Sequence, residues 1–147
     1  MRFLTQLFFI LLLISNPVRV SAQLYPPGQF SIDNIPLFCG NLPTIVTVNI
    51  PDMAMTNGQA ILLNPSAMAP LPTVLKLYIY AHECGHIFTG ANETYADCWA
   101  IQTGRNQGWF PPAAFGLLMR LLENNPGDVM HPPGLIRLQD MMNCYQN

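Results

Sequence analysis

The sequence of 147 residues predicts an α+β fold, in which a small antiparallel β-sheet packs against about four helices. Three observations predict it. Thr44-Ile45-Val46-Thr47-Val48-Asn49-Ile50 is β-branched and bounded by Pro43 and Pro51, which is the composition and punctuation of a strand. Asn57-Gly58 stands between the apolar stretches Met53-Ala54-Met55 and Ala60-Ile61-Leu62-Leu63, a strong short-range hairpin signal. From Thr73 onwards the strand signals give way to longer apolar runs separated by helix caps and stops.

Taken in order, the elements begin with a targeting signal. Arg2, the apolar run Phe3 to Ile14 and the small residues Val20-Ser21-Ala22 have the form of a signal peptide over 1–22, and the run is too short for an ordinary membrane span. Cleavage after Ala22 leaves one domain, 23–147, with no membrane span. Gln23 to Leu42 is rich in Pro, Gly and Asn and reads as an extended lead-in pinned at Cys39-Gly40. Strands follow at Thr44 to Ile50 and Gln59 to Leu63, then a Pro-rich turn from Pro65 to Pro72. A first helix starts at Pro72 or Thr73 and runs through Phe88, its nearly continuous apolar content suiting a helix buried on several sides. Gly90 supplies a stop and Asn92 a cap. Further helices are expected over Glu93 to about Thr103, Pro112 to Asn124, and Gly134 to Tyr145.

Charge narrows the partners. Residues 23–147 carry four basic and eight acidic side chains, a net −4 with His neutral, so no basic stripe exists to neutralise phosphates and nucleic acid is excluded. Cys39, Cys84, Cys98 and Cys144 form an even set behind a signal peptide, which predicts two disulfides in an oxidising compartment. Three pairings remain open, with Cys84–Cys98 and Cys39–Cys144 favoured if the helices carrying Cys84 and Cys98 form a hairpin. Metal ligation by cysteine fits poorly, because no CxxC pair is present.

The chemistry is concentrated in His82-Glu83-Cys84-Gly85-His86, which has the form HExxH, followed seven residues later by Glu93. Residues i and i+4 of a helix share a face, so both imidazoles can converge on one Zn²⁺ while Glu83 reaches water beside it as a general base. Glu93 and Asp97 share a face of the next helix. Glu93 is read as the third ligand and Asp97 as the carboxylate holding His82 from behind, although the spacing also admits Asp97 as the ligand. Asn92-Glu93-Thr94 matches a glycosylation sequon, which a metal site next to it would not tolerate. His131 alone reads as a loop histidine before a helix, and Arg137 alone as a surface cation.

Together these segments resemble the gluzincin metallopeptidases, specifically the group that includes the heat-shock membrane protease HtpX and the CAAX prenyl protease. Four stretches carry the likeness: His82 to His86, the NExxxD box Asn92 to Asp97, His131-Pro132-Pro133 with Arg137, and the hairpin Asp52 to Asn64. With the expected signal peptide, the reading is an exported, monomeric zinc endopeptidase of minimal zincin-like fold. The resemblance implies that Glu93 is the third ligand, that Asp97 stands behind a ligand histidine, and that His131 and Arg137 stabilise the oxyanion. It further implies that Gln59 to Leu63 is an edge to which a peptide substrate adds as a strand. This chain lacks the membrane helices of that group and has a much shorter link from His86 to Glu93. The rival reading is a non-catalytic zinc-binding module that recognises a peptide or protein in the same groove, and a third makes Cys84 a nucleophile.

Overall fold

A computed structural model describes residues 22–147; the expected signal segment, but for Ala22, lies outside the described residues. Strands β1 (Gln23–Tyr25), β2 (Phe30–Ile32), β3 (Ile35–Leu37), β4 (Thr44–Val46), β5 (Ala54–Thr56) and β6 (Ile61–Leu63) precede helices α1 (Pro65–Met68), α2 (Thr73–Thr89), α3 (Glu93–Gln107), α4 (Phe115–Leu122) and α5 (Gly134–Gln146). This is the α+β arrangement the sequence predicts. The main sheet has the order β1-β4-β6-β5 and is mixed, since β4 and β6 run parallel while the other two pairs are antiparallel. After β4 the chain crosses to the far edge to form β5, and the hairpin then lays β6 between them. The peptide edge expected at Gln59 to Leu63 is therefore corrected: β6 has neighbours on both sides, and β5 and β1 are the free edges.

The lead-in holds more structure than its composition suggests. Asp33 and Asn34, both at positive φ (49° and 67°), make a two-residue turn joining β2 to β3, a conformation that Asp and Asn tolerate better than most residues. In the β5–β6 hairpin the Asn57 side chain accepts from the N–H groups of Gln59 and Ala60, each at 2.9 Å, and Gly58 sits at φ 79°. That turn consumes residues 57 to 60 and shortens the strand predicted from Gln59.

Helix α2 is the centre of the molecule, with Leu75, Leu77, Tyr78, Ile79, Tyr80, Ala81 and Cys84 buried against β5, β6 and α3. A Cβ at Gly85 would stand 2.8 Å from the Ala96 carbonyl oxygen, so only glycine lets α2 and α3 approach this closely. Helix α3 continues past Thr103 because Gly104 is a packing contact instead of a stop, its missing Cβ accommodating Phe110 and Trp109. It ends where Gly108 takes the left-handed conformation, φ 80°. The predicted third helix divides into a 3₁₀ turn, Pro112–Ala114, and α4. Helix α5 packs on α3 and α4.

The disulfides are Cys39–Cys84 and Cys98–Cys144, with Cα separations of 5.6 and 5.4 Å, which corrects the favoured pairing. Gly85 and Ala96 occupy the α2/α3 seam. At about 100° per residue, Cys84 and Cys98 are rotated off that seam, one towards the loop of Cys39 and the other towards α5. Cys84 is thereby unavailable as a nucleophile. Among the described residues no helix is long and apolar enough to cross a membrane.

Candidate metal centre

The site is assembled by the turn between α2 and α3. Gly90, at φ 78°, ends α2 with its N–H on the His86 carbonyl at 3.0 Å, and the Asn92 side chain caps α3 by accepting from the Tyr95 N–H at 3.0 Å. Helix α3 thus starts with Glu93 facing the histidine pair of α2. His82 Nε2 and His86 Nε2 are 3.1 Å apart, Glu93 Oε2 is 3.2 Å from the former, and Glu93 Oε1 is 3.3 Å from the latter.

These three residues form a group able to hold a metal ion. Ligands arranged tetrahedrally at about 2.0 Å from a metal stand about 3.3 Å from one another, close to the spacings seen here. Two further observations fit a cation. Glu93 Oε2 is fully buried and makes no aligned hydrogen bond, with His82 Nε2 at 3.2 Å and Arg137 Nη2 at 3.8 Å beside it, so an ion held between it and the histidines would satisfy it directly. The Gly90 carbonyl lies 2.9 Å from His86 Nδ1, so that nitrogen carries the proton and the Nε2 lone pair is left to point into the cluster.

Behind the histidines lies Asp97, 0% exposed. Its Oδ1 accepts from Tyr78 Oη at 2.6 Å and from Arg137 Nη2 at 2.8 Å, and its Oδ2 accepts from Arg137 Nε at 2.7 Å. Oδ1 also lies 2.8 Å from His82 Nδ1, a contact with the length of a hydrogen bond but not its alignment. Burial works against ionisation here, yet the Arg137 and His82 contacts win and hold the Asp97 carboxyl below its usual value. Burial likewise pulls His82 down, but Asp97 and Glu93 outweigh it and raise the imidazole to about 9. His82 and His86 outweigh burial at Glu93 and hold that carboxyl well below the carboxylate range.

His82, together with Tyr78 and Arg137 of this network, also lines a cleft of about 340 Å³. Met53 and Ala54 of the β5 segment, Ile79, Leu121 and Leu122 form its apolar wall, and Glu83, His131 and Arg137 its polar part. Burial pushes Glu83 upward, partly offset by the two nearby histidines. His131 stands at the rim with Nδ1 3.0 Å from both oxygens of Asp128 and Nε2 3.6 Å from Glu93 Oε1. Asp128 Oδ1 also accepts from the N–H groups of Met130 and His131, which ties the loop around the ring. A second groove of about 230 Å³, on the back of α2, has no His, Asp or Glu in its lining.

All the residues singled out from the sequence, Glu83, His82, His86, Glu93, Asp97, His131 and Arg137, meet in this one region. Arg137 lines the cleft but directs Nε and Nη2 at Asp97. Two residues escape a reading of the sequence. Tyr78 is four positions before His82 on the same helical face, and Asp128 is three positions before His131. The i, i+4 rule that singles out His82 and His86 reaches Tyr78 as well, but its apolar context reads as core. Comparison with protein-family models finds no match, and comparisons with curated proteins and with solved structures likewise find none.

Proposed function

We propose that the chain is an exported zinc-dependent peptidase, hydrolysing peptide bonds in the cleft beside His82, His86 and Glu93. The observation that carries this reading is the convergence of two imidazole Nε2 atoms and one buried carboxylate at ligand spacing, next to the half-buried Glu83 in the lining of a cleft. When bound, Zn²⁺ supplies a Lewis acid that makes water nucleophilic near neutral pH.

The protein's residues carry the rest. Glu83 takes a proton from the attacking water and later delivers it to the leaving amine, and its upward-shifted pKa suits both halves of that cycle. His131, held through Nδ1 by Asp128, stands at the rim of the cleft with Nε2 as the group that would face the oxyanion of the tetrahedral intermediate. Arg137 is reassigned from the oxyanion to the support of Asp97, since two of its nitrogens are committed there.

Strand addition is transferred to β5. The ladder bonds Asn64 N–H to Met53 O and Asn57 N–H to Ala60 O define alternate paired positions, so Ala54 and Thr56 turn their backbone groups to the free edge. An extended peptide laid there would run past Glu83. Two disulfides support an oxidising compartment and hence export.

Turnover of a peptide library by the wild type and by Glu83→Gln tests the proposal. Cleavage by the wild type, reduced about 10²- to 10⁴-fold in the variant with zinc content retained, is expected. No cleavage by a fully zinc-loaded wild type would sink the enzymatic reading and favour a peptide-recognition module.

A further inference from the structure

The polar network behind the ligands has a feature that charge balance does not require. Arg137 alone gives Asp97 a two-point ion pair, through Nε to Oδ2 at 2.7 Å and Nη2 to Oδ1 at 2.8 Å. A buried carboxylate so paired is already compensated. Tyr78 nevertheless donates its hydroxyl to Oδ1 at 2.6 Å, with the phenol 3% exposed. The same oxygen faces His82 Nδ1 at 2.8 Å.

The two contacts come from different directions. Arg137 holds Asp97 from α5, whereas Tyr78 holds it from α2, the helix that carries His82 one turn later. With the hydroxyl present, α2 carries both the ligand and the anchor of the ligand's partner. Without it, α2 itself would no longer fix how close Oδ1 comes to His82. Arg137 Nη2 also lies 3.5 Å from the Tyr78 oxygen, so the hydroxyl accepts on one side while it donates on the other.

We propose that Tyr78 is a positioning residue of the metal centre: its hydroxyl ties Asp97 to α2 and so sets the orientation in which His82 presents Nε2 to the metal. The inference rests on the metal-centre reading above and does not depend on peptide hydrolysis. Tyr80 provides the control. It is also buried on α2, but its hydroxyl meets Thr44 Oγ1 at 3.3 Å, away from the ligands.

The test is Zn²⁺ affinity by competition with a chromophoric chelator, together with the visible spectrum of the Co²⁺-loaded protein, for wild type, Tyr78→Phe and Tyr80→Phe. Tyr78→Phe is expected to bind Zn²⁺ at least about tenfold more weakly and to shift the Co²⁺ bands, while Tyr80→Phe does neither. Urea unfolding of the metal-free proteins separates a general loss of stability from a loss at the ligand. Wild-type affinity and spectrum in Tyr78→Phe, or equal weakening in both variants, would overturn the inference. A wild type that binds neither ion would overturn the metal centre itself, and the inference with it.

Discussion

At His82 two demands meet. The Asp97 and Glu93 contacts beside the imidazole also raise its pKa to about 9, so a metal ion entering the site would have to displace a proton from the ring. A folded pKa above the unfolded value of about 6.5 contributes stability that is complete below pH 6.5 and is lost as pH rises through about 9. Glu93 and Asp97, both lowered, act in the opposite sense, their contribution being present above the usual carboxylate pKa and lost as pH falls. Urea unfolding in the presence of a chelator is therefore expected to show a lower midpoint at about pH 9.5 than at about pH 6.5. An unchanged or higher midpoint at the alkaline pH would contradict the His82 environment described here. The sequence reveals His82 and His86 because helical spacing alone puts them on one face, and Glu93 because the stop at Gly90 and the cap at Asn92 return the chain beside them. It hides the role of Arg137, whose commitment to Asp97 depends on where α5 docks.

The α2/α3 pair is the element on which the site depends, and Gly85 controls its spacing. In an exposed helix interior Ala is better than Gly by about 1 kcal/mol, so propensity alone favours Gly85→Ala. The crowding here is larger, because the added Cβ would meet the Ala96 carbonyl oxygen at 2.8 Å and its Cα at 3.0 Å, both backbone atoms that cannot rotate away. Gly85→Ala is expected to destabilise by roughly 1–3 kcal/mol and to weaken zinc binding as α3 and Glu93 are pushed outward. In α4, a methyl added at Gly116 would have nothing within 4 Å, so Gly116→Ala should be neutral or stabilising by about 0.5–1 kcal/mol. Urea unfolding and zinc titration of both variants check this, and equal behaviour would remove the special role of Gly85. The helices are legible in the sequence because caps and stops such as Gly90 and Asn92 act locally. The strand order and the α2/α3 contact arise from distant partners, which is why local pattern reveals neither which strand is the edge nor the hairpin of β2 and β3.

Across the whole molecule, each disulfide closes a sequence separation of 45 or 46 residues, which chain entropy values at about 4 kcal/mol apiece. Cys39–Cys84 fastens the lead-in to the helix bearing His82 and His86, and Cys98–Cys144 fastens α3 to α5, so both brace elements of the site. The pairing is not legible in the sequence because it depends on which way each helix is rotated about the seam. Charge, by contrast, is fixed by composition, and four cations against eight acids over 23–147 leave an acidic molecule with Arg137 buried in its interior. We propose that His82, His86 and Glu93 together hold one metal ion. The most direct measurement is the zinc bound per chain after metal depletion and reloading, in wild type beside Glu93→Ala and Asp97→Ala. About one zinc is expected in the wild type, with its loss in Glu93→Ala and only weaker retention in Asp97→Ala. A wild type without zinc, or a Glu93→Ala that keeps it while Asp97→Ala loses it, would contradict that claim.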